Sequence, residues 1–172
     1  MGIRVGAPED GSLVARRLVA NHRVVCGAPA YLRAHGAPRT PRDLARHDCL
    51  VLRQDGADYA LWRFTAGGRT ETVRVSGTLT SNDGEAVRDW ALAGHGLMLR
   101  SWWDIADDVA RGRLETVLDG YRTPEANVWA VYPIPRNLPA KVRLLVEFLG
   151  DFLRARADWN RPGQAASRRA RR

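Results

Sequence analysis

Lysine is all but missing from this chain: among 27 basic side chains Lys141 is the only one, a compositional bias that marks no chemistry. Long apolar runs are missing as well. Arg, Asp, Gly or Pro breaks each hydrophobic stretch well short of the roughly 18 residues a membrane-crossing helix needs, which excludes a helical span. The opening Met1-Gly2-Ile3-Arg4-Val5-Gly6 shows no basic leader followed by an apolar segment, so the expected location is the cytoplasm. Cysteine is limited to Cys26 and Cys49, each inside an apolar stretch. In a reducing compartment such residues are expected to be small buried hydrophobes and not a disulfide.

Assembled catalytic groups are also lacking. His22, His35 and His95 lie in or beside turns, with no nucleophile or orienting acid placed near them by any motif, and read as solvated surface residues. His47 and Cys49 share a strand face, but structural zinc needs four ligands and there is no second closely spaced pair. Gly94 and Gly96 lack the third glycine of a dinucleotide loop and precede a strand instead of joining strand to helix. The expectation is a protein without catalytic residues, metal or cofactor.

What is present is an ordinary globular core composition, 45% hydrophobic, in a chain whose formal charge is +8. Five arginines crowd into residues 161–172 without an acid, and without them the charge falls to +3. A short basic tail gives salt-sensitive, sequence-blind attraction to nucleic acid, and no helix-turn-helix pattern occurs, so this chain is not expected to bind DNA with sequence specificity.

The hydrophobic pattern alternates between periods of two and 3.6 residues. Strands are expected at 3–5, 13–18, 23–26, 49–52, 96–100, 114–117 and 128–132, and a half-exposed ribbon at 61–64, 71–75 and 77–80. Turns are expected at 7–12 and 55–58. Pro29 and Gly36 bracket a helix, and Thr40, Pro41 and Asp43 begin a shorter one. Asn82-Asp83-Gly84-Glu85 matches a capping box, with Ala86, Val87, Trp90, Ala91 and Ala93 at helical spacing behind it. Ser101 can cap a helix from Trp102 to Ala110. The last helix starts at Pro139 and carries Val142, Leu145, Phe148, Leu149, Phe152 and Leu153 as one stripe, which must pack on a sheet; residues from about 159 read as a disordered tail. Strands alternating with helices argue for an α/β domain with a largely parallel or mixed sheet.

The capped helix start at Ser81-Asn82-Asp83 is the most informative polar feature, since free N–H groups and the helix dipole attract carboxylates. From the residues alone simple capping is the readier explanation, and Asp83 would repel an anion unless turned away. Gly27-Ala28-Pro29 offers a second helix start. Three strand ends, after Cys26, Thr80 and Leu99, are expected to converge on helix starts and to line a ligand crevice. Among the tryptophans, Trp62 falls on the exposed ribbon, Trp90 on a buried helical face, and Trp102-Trp103 at a strand–helix junction where an aromatic wall could meet a ligand.

A series of segments in this order resembles the C-terminal half of the LysR-type effector-binding domain: Ile3-Arg4-Val5-Gly6, Ser12 to Leu18, Val24 to Leu32, Thr40 to Leu50, Ser81-Asn82-Asp83, Ala93 to Leu97, Gly112-Arg113-Leu114, Ala130 to Pro133, and Leu138 to Arg143. The set spans residues 3–157. The chain departs from that pattern at Arg100-Ser101-Trp102-Trp103, where the family more often has an apolar residue and Pro. The resemblance implies a type 2 periplasmic-binding-protein-like fold of two α/β lobes around a small effector. On that plan 1–157 is a partial substrate-binding domain, with 22–132 a nearly complete second lobe, 1–21 and 133–157 remnants of the first, and 158–172 a basic tail. The helix-turn-helix domain, linker helix and opening of the first lobe would lie upstream.

The implied function is the sensing part of a transcription regulator. It would bind a small polar or anionic metabolite, reach DNA only through the missing N-terminal domain, and form a homo-oligomer in the intact family form. The expected ligand contacts are Gly27, Ala28, Ser81, Asn82, Arg100, Ser101 and Trp102. The competing reading is a free-standing cytoplasmic small-molecule-binding protein of the same fold.

Overall fold

The structure is a computed structural model and describes residues 1–6, 13–53, 60–133 and 139–155. The turns expected at 7–12 and 55–58 and the tail from 159 lie outside the described residues. The chain forms two compact units, residues 23–124 and residues 1–22 with 125–172.

The first unit is an antiparallel three-stranded sheet with one helix. Strand β1 (Gly2–Val5) pairs with β10 (Val128–Pro133), which pairs on its other side with β2 (Leu13–Val19), in the registers Ile3↔Ala130 and Ala130↔Arg16. Helix α4 (Ala140–Ala155) packs on β2, where the Arg154 guanidinium donates to the Leu18 carbonyl at 3.2 Å. Leu18, Val19, Val128, Ala130 and Val146 are buried. Helical geometry puts Val142, Val146, Leu149 and Leu153 on one line, and these four, with Gly150, are the buried or half-buried residues of α4. The broader stripe expected from the sequence is split: Leu145, Phe148 and Phe152 are exposed, with Leu144 beside them. β10 is the middle strand of this sheet, and the other compact unit runs from Arg23 to Pro124.

The second unit is built on a mixed sheet in the order β7-β4-β8-β3-β9, from β3 (Arg23–Gly27), β4 (Cys49–Leu52), β7 (Thr80–Ser81), β8 (Leu97–Ser101) and β9 (Glu115–Val117). β7, β4 and β8 run parallel, while β3 is antiparallel to both β8 and β9. Period-two alternation divides the strand residues between two cores. Val25, Cys49, Val51 and Leu97 point to one face, covered by Tyr31 and Leu32 of α1 (Pro29–His35), Leu44 of a 3-10 helix (Pro41–Arg46), and Trp62 and Phe64. Cys26, Leu50 and Met98 point to the other, covered by Val87 and Ala91 of α2 (Gly84–Leu92) and Ile105 of α3 (Trp102–Ala110). Each such fully buried aliphatic side chain contributes roughly 1.5–3 kcal/mol.

The ribbon expected near residue 60 exists as β5 (Leu61–Ala66) paired with β6 (Arg69–Arg74). Its alternation sends Trp62 and Phe64 into the core, so Trp62 is 3% exposed and not the surface residue expected. The segment 77–80 does not join the ribbon; Thr80–Ser81 pairs in parallel with Val51–Leu52 instead. The two cysteines belong to opposite cores, and burial pushes both thiols up, Cys49 to about 12.

Candidate functional site

Strand direction decides which of the expected contacts meet. Because β7, β4 and β8 are parallel, their C-terminal ends, at Ser81, Leu52 and Ser101, lie at one end of the sheet. β3 runs the other way, and its first residue Arg23 stands opposite Ser101 while Gly27 stands opposite Leu97. Ser81, Asn82, Arg100, Ser101 and Trp102 are therefore gathered at one sheet end. Gly27 and Ala28 sit at the far end, about 13 Å away at 3.3 Å per strand residue. The expected convergence of three strand ends is corrected to two: the strand from Arg23 to Cys26 is reversed, which spacing in the sequence does not reveal. Both residues are also buried, and the helix that Ala28 opens has no side-chain cap.

The start of α2 also differs from the expectation. Its N-cap is Asp83, one residue later than the Asn82 capping box, and the Asp83 carboxylate accepts the Glu85 N–H at 2.8 Å. Ser81 Oγ accepts the Asp83 N–H at 3.0 Å, which locks the turn. A charged carboxylate thus occupies the N-terminus of α2, so an anionic ligand would have to compete with it. Asn82 is exposed beside this turn.

Arg100 points into the α2–α3 face, since even-numbered residues of β8 point there. Its guanidinium pairs with Asp104 in the first turn of α3 and comes close against Gly84, where an added Cβ would stand 2.8 Å from Arg100 Cζ. Glycine at position 84 is what leaves room for it. Arg100 thus ties α2, β8 and α3 together. Trp102 packs half-buried against the same core. α3 is further held by Asp108, fully buried, whose carboxylate takes Arg88 of α2 at Nε (2.8 Å) and Nη2 (2.5 Å) and also pairs with Arg113.

With α2 already capped, the start of α3 is the open one: Ser101 is its N-cap and makes no side-chain cap hydrogen bond. Around it stand two arginines that the sequence reading passed over. Arg23 lies directly across from Ser101. Arg53, the residue after β4, is exposed and its backbone N–H donates to the Ser81 carbonyl at 2.7 Å. Neither guanidinium has a partner among the described residues. The available signal was a charge at the edge of a predicted strand, Arg23 as its first residue and Arg53 just after its last.

This end of the sheet is also where the chain enters and leaves the unit, and Thr123 Oγ1 donates to the Arg23 carbonyl at 2.7 Å. The arrangement offers N–H groups, hydroxyls, the Asn82 amide and two unpaired cations. It can hold a small polar or anionic group by charge-assisted hydrogen bonds. Among the described residues no cluster of three or more His, Cys, Asp or Glu could hold a metal, and no helix is long and apolar enough to cross a membrane.

Residues 1–154 match the family described as the LysR substrate binding domain. The chain is 40% identical over 152 residues to the HTH-type transcriptional regulator DmlR of Escherichia coli (strain K12), covering 88% of this chain and 49% of that protein. It is 39% identical over 156 residues to the HTH-type transcriptional activator TtdR of the same strain, covering 91% and 50%. It therefore spans about half the length of the curated relatives it matches. In fold it is similar to the regulatory domain of CrgA, a LysR-type transcriptional regulator from Neisseria meningitidis, with a TM-score of 0.72 and 29% identity over 88% of this chain and 74% of that one. A full-length variant of AphB gives a TM-score of 0.73 at 25% identity, over 86% and 50%.

Proposed function

The chain belongs to the LysR substrate-binding domain family, and from that premise we propose that it senses a small anionic metabolite on behalf of a transcription regulator. The bound effector sits at the sheet end formed by Ser81, Asn82 and Ser101, with Arg53 and Arg23 supplying the opposite charge. Contact with DNA is made by a separate domain of the intact regulator, which works as a homo-oligomer in the cytoplasm, and the domain itself performs no catalysis.

The observation that carries the choice of an anionic ligand is the pair of arginines, without partners among the described residues, that flank the uncapped start of α3. Unpaired guanidiniums beside free N–H groups attract carboxylates more strongly than neutral solutes. Arg100, already engaged by Asp104, acts by positioning α3, and Gly27 and Ala28 take no part.

The test is ligand-dependent thermal stabilisation, since any solute that binds only the folded state raises the melting temperature. Succinate and malate should raise it for the wild-type chain, and the matched neutral diamides should not. Arg53→Gln, at an exposed position, should weaken the effect about tenfold without changing the unliganded melting temperature. Equal stabilisation by acids and amides, or an unaltered response in both Arg53→Gln and Asn82→Ala, would refute the assignment.

A further inference from the structure

A second polar recess lies at the opposite end of the same sheet, where α1 follows β3 and the 3-10 helix precedes β4. It has a volume of about 280 Å³, and five of its seven lining residues are ionisable: His35, Arg39, Asp43, Arg46 and His47. The single acid among them is already committed. Asp43 Oδ2 accepts the N–H groups of Arg39 (3.0 Å) and Thr40 (2.9 Å) and the Thr40 hydroxyl, while Oδ1 takes the Arg46 guanidinium at 2.6 Å. These contacts hold its carboxyl down at about 2. The Arg39 guanidinium has no partner among the described residues.

Tyr31 orients both histidines. Its hydroxyl accepts the Asp48 N–H at 3.0 Å and is hydrogen-bonded to His47 Nδ1 at 3.2 Å. His35 Nδ1–H donates to the Tyr31 carbonyl at 3.1 Å, and the His35 ring stacks on Tyr31 with centroids 4.3 Å apart. Each ring therefore has Nδ1 engaged and Nε2 left over. Burial pushes the His47 imidazole down; His35 and Arg46 push the same way and Asp43 opposes them.

We propose that this recess binds a phosphate group, free or as a monoester, through Arg39, Arg46 and the two histidine Nε2 atoms. Two guanidiniums against one internally bonded carboxylate leave a net positive charge, and the two imidazoles, each with Nδ1 engaged, present Nε2–H donors together once they are protonated, the form a bound dianion favours. A tetrahedral dianion matches that donor set, whereas an apolar or cationic solute finds nothing there. The site is independent of the effector-binding end, from which the length of the sheet separates it.

The experiment is a titration of the full chain with inorganic phosphate and, separately, with glycerol 3-phosphate in a chloride background, followed by the NMR signals of the His35 and His47 rings. Saturable shifts are expected, together with a rise in the His47 pKa, because the bound dianion favours the imidazolium. Arg39→Gln should weaken binding about tenfold, while Arg33→Gln, which removes an exposed arginine of α1 outside the recess, should not. Tighter binding of the monoester assigns the site to an esterified ligand, and equal binding assigns it to the free ion. Shifts that grow linearly with either solute, or that respond equally to Arg39→Gln and Arg33→Gln, would overturn the proposal.

Discussion

Replacing Asp108 by asparagine keeps the shape of a side chain that solvent does not reach but removes its charge from between two arginines. In a deeply buried ion pair, loss of one partner costs about 3–5 kcal/mol, because the other charge is left without solvent or counter-charge. Here the penalty is smaller, since the Arg88 and Arg113 side chains retain 27% and 47% of their exposure and can turn toward water. The amide keeps one acceptor oxygen where the carboxylate had two, so either Arg88 or Arg113 faces an NH2 group and one charged contact is lost, about 1.5–3 kcal/mol. The expected destabilisation is thus about 2–3 kcal/mol. Urea unfolding followed by tryptophan fluorescence should show the midpoint falling with the slope unchanged. Arg113→Ala, which leaves the Arg88 pair intact, should cost about 1 kcal/mol. If Asp108→Asn cost no more than Arg113→Ala, the claim that charge anchors α3 to α2 would be wrong.

Gly84→Ala should cost less than about 1 kcal/mol, because the clash is met by shifting the flexible end of Arg100. In an Arg100→Ala background the same change should be neutral, as a double-mutant cycle would show. The Asp43 carboxyl has a folded pKa below its ordinary 3.8, so its support for the 3-10 helix is complete above that value and is lost as pH falls through about 2; carboxyl-carbon NMR should place its midpoint there, and Thr40→Ala should move it upward. The exposed Leu144, Leu145, Phe148 and Phe152 on α4 predict self-association of the chain alone. Light scattering on Phe148→Asp should then show a lower mean mass at equal concentration.

Local chemistry made some elements readable before any coordinates. Pro29 and Gly36 bound α1 because proline suits a first helical turn and Gly36 takes φ 80° past the last. The Thr40 and Asp43 pair acts over three residues and appears as a capping box. Failures came where tertiary partners decide. Nothing within the strand Arg23–Gly27 says that it runs against its neighbours, and that direction removed Gly27 and Ala28 from the candidate site. Trp62 alternates with polar residues as a surface ribbon would, but the sheet behind it turns the same alternation into burial. Arg53 and Arg23 carry no helix-start signature; they stand at strand ends, where among the described residues their guanidiniums have no partner.

The hydrogen bond from Thr123 to Arg23 bears on how such a chain assembles. In the first unit, Asn21 accepts no near neighbour: its N–H donates to Asn127 Oδ1, 106 residues away, at 3.0 Å. Closing a flexible loop of that length costs about 4 kcal/mol in chain entropy alone. Once residues 23–124 have folded, their two ends are already in contact, and the search that would join β2 to β10 shrinks to the reach of a few residues. Connectivity predicts the order of events: the inserted unit should condense early and serve as the clasp that lets the interrupted sheet form. A circular permutant opened at the β5–β6 turn would keep all the same pairings but divide the clasp, and its refolding should slow accordingly.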